Sequence, residues 1–234
     1  MVKSDRILIQ TYLVWTIVEL SLQLVKDMYP VMHGIFKGGL MPILMLMVAT
    51  SPSLSRVSVR VLLLGSLLFA WAGDVLLLYD VDEAYFKAGL ASFFLAQALY
   101  VAVFSRHIKP NEKRSLLRRH PSVILVSAFI FVVIVRQFYA DLGSLYWPVM
   151  AYSGILFLML MAALNRSRRT NEVSFWLVLI GAVLFVLSDA LIAFDRFDAP
   201  IHGFYIMSTY TLAQGLIVLG LVMHRSKALN TDEA

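Results

Sequence analysis

The sequence predicts an all-α polytopic membrane protein with eight transmembrane helices, and three observations support this prediction. Hydrophobic residues make up 60% of the 234 residues and charged residues only 15%, whereas soluble domains contain about 45–50% and about 25%. The mean hydropathy is +0.78. Apolar runs of about 20 residues, the length that crosses a bilayer core, recur along the chain. The polar surface is too small for a water-soluble body, so the chain is expected to lie in a bilayer.

Eight apolar runs mark the expected spans, which together form one transmembrane domain over residues 1–234. Span 1 contains Glu19 and lacks the cleavage pattern of a signal peptide, so it is interpreted as a permanent span. Span 2 is the least regular, because Lys37, Gly38, Gly39 and Pro42 interrupt it. In chain order, the spans fall at approximately residues 7–25, 31–50, 57–79, 84–104, 120–138, 143–164, 174–194 and 203–223.

The distribution of positive charge predicts the orientation of these spans. Most of the 20 Lys and Arg residues lie at the termini and in every second loop, including Arg106, Lys109, Lys113, Arg114, Arg118 and Arg119 between spans 4 and 5. The spans and the other loops hold Lys26, Lys37, Lys87, Arg136 and Arg196. Because cytoplasmic loops retain positive charge, both termini are expected in the cytoplasm. The net charge of +5 is therefore assigned to a membrane face, and no nucleic-acid partner is expected.

Several classes of site are absent from the sequence. The chain has no Cys, which excludes disulfides, thiolate metal sites and cysteine nucleophiles. No GxGxxG, P-loop, GxSxG or HExxH motif occurs. A divalent cation held by His33, His202 and nearby Asp residues is the lesser alternative, and no metal is expected.

An internal repeat relates spans 3 and 4 to spans 7 and 8. The segment Asp74-Val-Leu-Leu-Leu-Tyr-Asp80 aligns with Asp189-Ala-Leu-Ile-Ala-Phe-Asp195, and Leu95-Ala-Gln97 aligns with Leu212-Ala-Gln214. The alignment predicts two parallel four-helix repeats with a polar site where they meet. Chance similarity between apolar helices is the alternative.

Four ionisable residues lie within the predicted spans: Glu19, Lys37, Asp74 and Asp189. Such residues are costly in a membrane and are therefore functional candidates. Arg136 lies near a span end, where it can reach the interface. With a helical rise of about 1.5 Å per residue, the four ionisable residues within the spans all lie about 7–9 Å below the outer boundary of the spans. Three carboxyl groups and one ammonium favour at least one protonated carboxyl, which provides a proton donor beside an acceptor.

Other polar residues extend this layer or have simpler explanations. A structural ion pair between Glu19 and Lys37 is an equal alternative for those two residues. Asp80 and Asp195, at the outer ends of spans, are interpreted as solvated loop residues or helix caps. Spans 4 and 8 supply deeper candidates for the lining of a cavity, namely Gln97, Tyr100, Tyr210 and Gln214.

An ordered set of short motifs resembles the YhhN/TMEM86 family of eight-span membrane proteins over nearly the whole chain. The motifs are Phe36-Lys37, Gly73-Asp74-Val-Leu-Leu, Phe86-Lys-Ala-Gly89-Leu-Ala-Ser-Phe93 with Tyr100, Ser188-Asp189-Ala-Leu, and Tyr210. Two positions depart from the family pattern. Gly38 stands where Pro is usual, and Gln97 stands where His is common, which weakens a proton-carrying role for that position.

The resemblance implies hydrolysis of the vinyl ether bond of lysoplasmalogens, which releases a fatty aldehyde and a glycerophospho-alcohol. Asp74 and Asp189 would share the roles of proton donor and stabilising anion, as paired carboxylates do in glycoside hydrolysis. Lys37 would anchor the phosphate or tune the pair, and Glu19 would position Lys37. The expected partners are a lysophospholipid substrate and membrane lipids, with no organic cofactor, in a bacterial inner membrane. A proton-coupled transporter or lipid flippase and a non-catalytic scaffold are the alternatives.

Overall fold

The apolar runs form helices in the computed structural model, which describes residues 3–79, 82–108, 116–138 and 142–224. A single helical turn at Leu116–Arg119 precedes the helix Ser122–Phe138. A 3₁₀ turn at Leu77–Tyr79 follows the helix Val57–Leu76, and another at Gly143–Leu145 precedes the helix Tyr146–Leu164. Asp80 and the basic residues Lys109, Lys113 and Arg114 lie outside the described residues. The eight long helices of the described part are α1 (Lys3–Leu24), α2 (Pro30–Thr50), α3 (Val57–Leu76), α4 (Glu83–Arg106), α5 (Ser122–Phe138), α6 (Tyr146–Leu164), α7 (Glu172–Phe197) and α8 (Gly203–Val222).

The predicted all-α polytopic membrane class is confirmed. Among the described residues, seven helices are long and apolar enough to cross a membrane. The eighth, α5, has 17 residues and a length of about 25 Å, which is shorter than a bilayer core of about 30 Å. The helix bounds follow the predicted spans to within a few residues, because a bilayer requires each backbone group to bond within its own helix.

Local signals explain where several helices begin. Pro30 occupies the first turn of α2, where its missing N–H costs nothing. The side chains of Asp82, Asn171 and His202 each accept a bond from a backbone N–H in the first turn of α4, α7 and α8, which satisfies donors without a helical partner. Because α2 begins at Pro30, His33 lies in its first turn.

Helices α3 and α4 pack along each other, as do α7 and α8. The second pair approaches most closely at Gly181, where an added Cβ would lie 2.9 Å from the Ala213 carbonyl oxygen and 3.1 Å from the Ile217 nitrogen. Helix α8 also contacts α1 and α2, whereas α5 lies at the periphery against α6 and α7. The bundle therefore has a tightly packed centre around α8 and a peripheral α5.

A cluster of basic side chains joins four helix ends at the end of the bundle that carries the N-terminus. Arg166 is fully buried and donates to the His107 carbonyl oxygen and to Ser174 Oγ, both at 2.9 Å. The ring of His107 packs against His224 at 4.7 Å. Burial, followed by the neighbouring His224 and Arg166, lowers the pKa of His107 to about 3. His107 is therefore neutral at physiological pH.

Candidate active site

Asp74 lies in the last turn of α3 and is 3% exposed. The Tyr210 hydroxyl of α8 donates to Asp74 Oδ2 at 2.8 Å. Lys37 and Glu19 are both close enough to act electrostatically on Asp74, and Lys37 has the larger effect. The structure therefore brings together Asp74, Lys37, Glu19 and Tyr210, which the sequence places on four different helices.

Asp189, on α7, occupies a different environment. It lines an apolar cavity of about 100 Å³ among α4, α5, α6 and α7. The Tyr152 hydroxyl, which lines the same cavity, donates to Asp189 Oδ2 at 2.7 Å. The charge of Asp74 acts on Asp189, so the two carboxyl groups are electrostatically coupled although each bonds to its own tyrosine.

The two carboxyl groups do not face one pocket, which differs from the sequence-based expectation. Among the described residues, Asp189 lines the apolar cavity and Asp74 lines none of the cavities described here. Asp74 is turned toward Tyr210, whose ring is held between Phe93 and Phe185 at 6.0 and 5.6 Å. These rings fix Tyr210 in place, and Asp74 lies behind it.

The predicted ion pair of Glu19 with Lys37 is wrong within the described chain. Glu19 is fully buried, and its nearest basic group is His33, with Nε2 at 3.6 Å from Glu19 Oε1. His33 lies one turn before Lys37 on α2 and therefore on the same face. Lys37 instead lines a larger cavity at the end of the bundle.

The deeper polar residues form a hydrogen-bonded chain behind Asp74. The Tyr100 hydroxyl donates to Gln214 Oε1, and Gln214 Nε2 donates to the Tyr210 hydroxyl at 3.3 Å. The first bond joins α4 to α8, one helix from each predicted repeat, and the second lies within α8. Gln97 lies close enough to act on the Tyr152 hydroxyl, although neither of its amide atoms has hydrogen-bond geometry with a described residue. Contact of these four side chains with a substrate remains a prediction.

Tyr152 is the site residue that sequence reasoning missed. It lies on α6, outside the repeated spans, and has no ionisable residue beside it in the sequence that would single it out. The available signal was indirect, because a buried carboxyl group requires a donor. Three aromatic residues of span 6 carry an O–H or N–H group that could donate this bond. The rotation of α6 about its axis decides which of them faces Asp189.

A polar cavity of about 950 Å³ opens at one end of the bundle. At this end, which we call the site end, α1 connects to α2, α3 to α4 and α7 to α8. Its walls carry the basic side chains of Lys26, His33 and Lys37, together with the acidic groups of Asp27 and Asp195. Asp195 lies in the last turn of α7, not in a loop, and is exposed to solvent. It accepts a bond from the Ile201 N–H at 2.7 Å.

The polar cavity and the apolar cavity are neighbours. Leu77, Phe86 and Ile192 line both of them. The site therefore consists of a wide, charged mouth and a small apolar chamber that contains one carboxyl group. Within the described residues, no group of three or more His, Asp or Glu side chains is arranged to hold a metal ion.

The family model of the YhhN family matches residues 32–221, a range that includes His33, Lys37, Asp74, Asp189 and Tyr210. Lysoplasmalogenase TMEM86A of Bos taurus is 32% identical over 185 residues, which cover 75% of this chain and 69% of the relative. Lysoplasmalogenase TMEM86B of Homo sapiens is 34% identical over 173 residues, which cover 73% of this chain and 67% of the relative. No solved structure matches the chain significantly. The match over most of its length shows that the chain belongs to the YhhN family.

Proposed function

We propose that the protein is a membrane-embedded lysoplasmalogenase, which hydrolyses the vinyl ether bond of a lysoplasmalogen to a fatty aldehyde and a glycerophospho-alcohol. The relatives that carry this name support the reaction, and they do not favour the transporter alternative. The observation that carries the proposal is the position of Asp189, a hydrogen-bonded carboxyl group on the wall of an apolar chamber beside a wide, charged mouth.

The two cavities fit the two ends of such a substrate. A lysophospholipid has one hydrocarbon chain and one phosphate. Lys26 and Lys37 on the wall of the mouth favour the phosphate through charge-assisted hydrogen bonds, and His33 lies on the same wall. The apolar chamber favours the hydrocarbon chain. The vinyl ether, which lies between phosphate and chain, then falls near the boundary formed by Leu77, Phe86 and Ile192.

The chemistry requires a proton donor and a nearby negative charge. Asp189, which lines the chamber, donates a proton to the β-carbon of the vinyl ether and leaves an oxocarbenium ion. Water from the mouth attacks this ion and returns a proton to Asp189, as in acid–base hydrolysis of glycosides. The resulting hemiacetal collapses to an aldehyde and an alcohol.

Asp74 has the supporting role in this proposal. Its carboxyl group accepts a hydrogen bond from Tyr210 and lies near Lys37, and in this proposal it is the ionised member of the pair. That charge acts on Asp189 and stabilises the cationic intermediate from behind the chamber wall. In this proposal Asp74 therefore acts through its charge without touching the substrate, and Asp189 is the residue that touches the substrate.

We also propose the placement of the protein. It forms one transmembrane domain in a bacterial inner membrane, with both termini cytoplasmic and the mouth on the opposite side. The basic residues at the other end of the bundle support this orientation. Reporter fusions to the two termini test it, and a reporter that is active only on the outer side would contradict it.

Aldehyde release from lysoplasmalogen by the purified protein tests the function and the site together. Asp189→Asn is expected to lower kcat by about 100-fold or more, because the proton donor is lost. Asp74→Asn is expected to lower kcat by about 10- to 100-fold. Asp195→Asn is the matched control, because this exposed carboxylate lies in the mouth and bonds to a turn. Full activity in both site variants would refute the assignment, and a wild-type protein without aldehyde release would refute the function.

A further inference from the structure

The chamber beside Asp189 is too small for a whole hydrocarbon chain. Its volume is about 100 Å³, whereas a cavity of about 150 Å³ holds a single benzene in a protein interior. It therefore accommodates the vinyl ether end of the substrate and only a few further carbon atoms. The remainder of the chain requires another place, and this step rests on the proposed function.

An apolar groove of about 600 Å³ continues from the chamber between α5 and α6. Phe131, Val135 and Ser153 line both the chamber and the groove. The groove extends along the two helices from Arg136 and Met150, near the site end, toward Ala128 and Phe157. The two spaces are therefore contiguous, and the groove runs into the depth expected for a bilayer core.

One small residue adds open space to the α6 wall of the groove. Gly154 lines it from α6, and a Cβ added at this position would meet no atom within 4 Å. By contrast, a Cβ at Gly181 or Gly73 would contact atoms at 2.9 Å or less. On the α5 side, Val132 lines the groove and is 64% exposed. Larger side chains at these two positions would narrow the groove without disturbing a packed core.

We infer that the groove between α5 and α6 binds the distal part of the substrate's hydrocarbon chain, and that Gly154 determines how long a chain the enzyme accepts. A chain whose first carbons occupy the chamber reaches the groove past Phe131 and Ser153. The wall of the groove is mostly apolar, as a hydrocarbon ligand requires. The gap between α5 and α6 is then also the path by which the chain leaves the bilayer.

Chain-length selectivity tests this inference. Gly154→Leu is expected to lower kcat/KM for a long-chain lysoplasmalogen by about tenfold. It should leave kcat/KM nearly unchanged for a short-chain substrate that ends within the chamber. Val132→Trp, which fills the groove from α5, should have the same effect and guards against a folding defect in the first variant. The control is Gly38→Leu, since Gly38 also has open space at its Cβ but lies on α2, away from the groove.

The ratio of the two kcat/KM values is the measured quantity, and thermal unfolding verifies that each variant is folded. An equal effect on both substrates, or no effect on either, would overturn the inference while the wild-type activity still supports the proposed function. A shift in the ratio for Gly38→Leu of the same size would also overturn it.

A second measurement does not depend on hydrolysis. A non-cleavable alkyl lysophospholipid with a diazirine in its distal chain is photolysed with the protein in nanodiscs. Labelling of α5 and α6 that an unlabelled lysophospholipid competes away, and that Gly154→Leu abolishes, is the expected result. Labelling that is spread over the lipid-exposed faces of all helices and does not respond to competition would refute the groove, whether or not the wild-type protein releases aldehyde.

Discussion

Replacement of Tyr210 by Phe isolates the role of Asp74 without changing its charge. The variant retains the aromatic ring between Phe93 and Phe185 and removes only the hydroxyl that donates to Asp74 Oδ2 at 2.8 Å. A hydrogen bond to a charged acceptor contributes about 1.5–3 kcal/mol. If the Asp74 carboxylate acts in the transition state, this loss corresponds to a decrease in kcat of about 10- to 100-fold.

The control for this prediction is Tyr12→Phe. The Tyr12 hydroxyl is also buried and donates at 2.8 Å, but its acceptor is the Thr211 carbonyl oxygen. This neutral bond contributes about 1 kcal/mol of stability, so the control should be less stable yet retain its activity. Aldehyde release and thermal unfolding of both variants are measured in the same detergent. The reasoning fails if Tyr210→Phe keeps wild-type kcat, or if Tyr12→Phe loses as much activity as Tyr210→Phe.

Three further predictions follow from the packing and the site. Gly181→Ala should destabilise the protein by about 1–3 kcal/mol, because its Cβ would lie 2.9 Å from the α8 backbone. The control Gly154→Ala has free space for its Cβ and should be neutral or slightly stabilising in thermal unfolding. Equal stabilities of the two variants would contradict the close approach of α7 and α8 at Gly181. In the unfolded chain, His107 binds a proton below its ordinary pKa of 6.5, whereas in the folded protein it does so only near pH 3. The free energy of unfolding should therefore decrease as the pH falls from 6.5 toward 3, by about 1.4 kcal/mol per pH unit. His107→Phe should flatten the curve of stability against pH, and parallel curves would refute this account. Tyr152→Phe should lower kcat about tenfold with little change in KM, because the ring still lines the chamber while the 2.7 Å bond to Asp189 is lost; a change confined to KM would contradict the orienting role.

The spans and the polar layer were predictable because the bilayer imposes strong and simple requirements. Each span needs a long apolar helix, and each ionisable group inside a span is costly and therefore conspicuous. The electrostatic proximity of Asp74, Lys37 and Glu19 in the structure follows from their similar depth, which a count of residues along each helix already indicates.

The partners within that layer were not predictable, because they depend on how each helix is rotated about its axis. His33 approaches Glu19 instead of Lys37, although both basic residues lie on one face of α2. Tyr152 faces Asp189, and Asp74 turns away from the chamber toward Tyr210. Packing contacts such as that of Gly181 against α8 set these rotations, and hydropathy carries no information about them.

The peripheral position of α5 has a consequence for how the protein responds to its surroundings. Since α5 is shorter than the bilayer core and contacts chiefly α6 and α7, we expect lipid acyl chains to border one side of the groove. The thickness and fluidity of the surrounding membrane then influence how readily a lipid passes between these helices. The rate of hydrolysis in thin, fluid bilayers should consequently exceed that in thick, ordered ones, even though neither Asp74 nor Asp189 is altered.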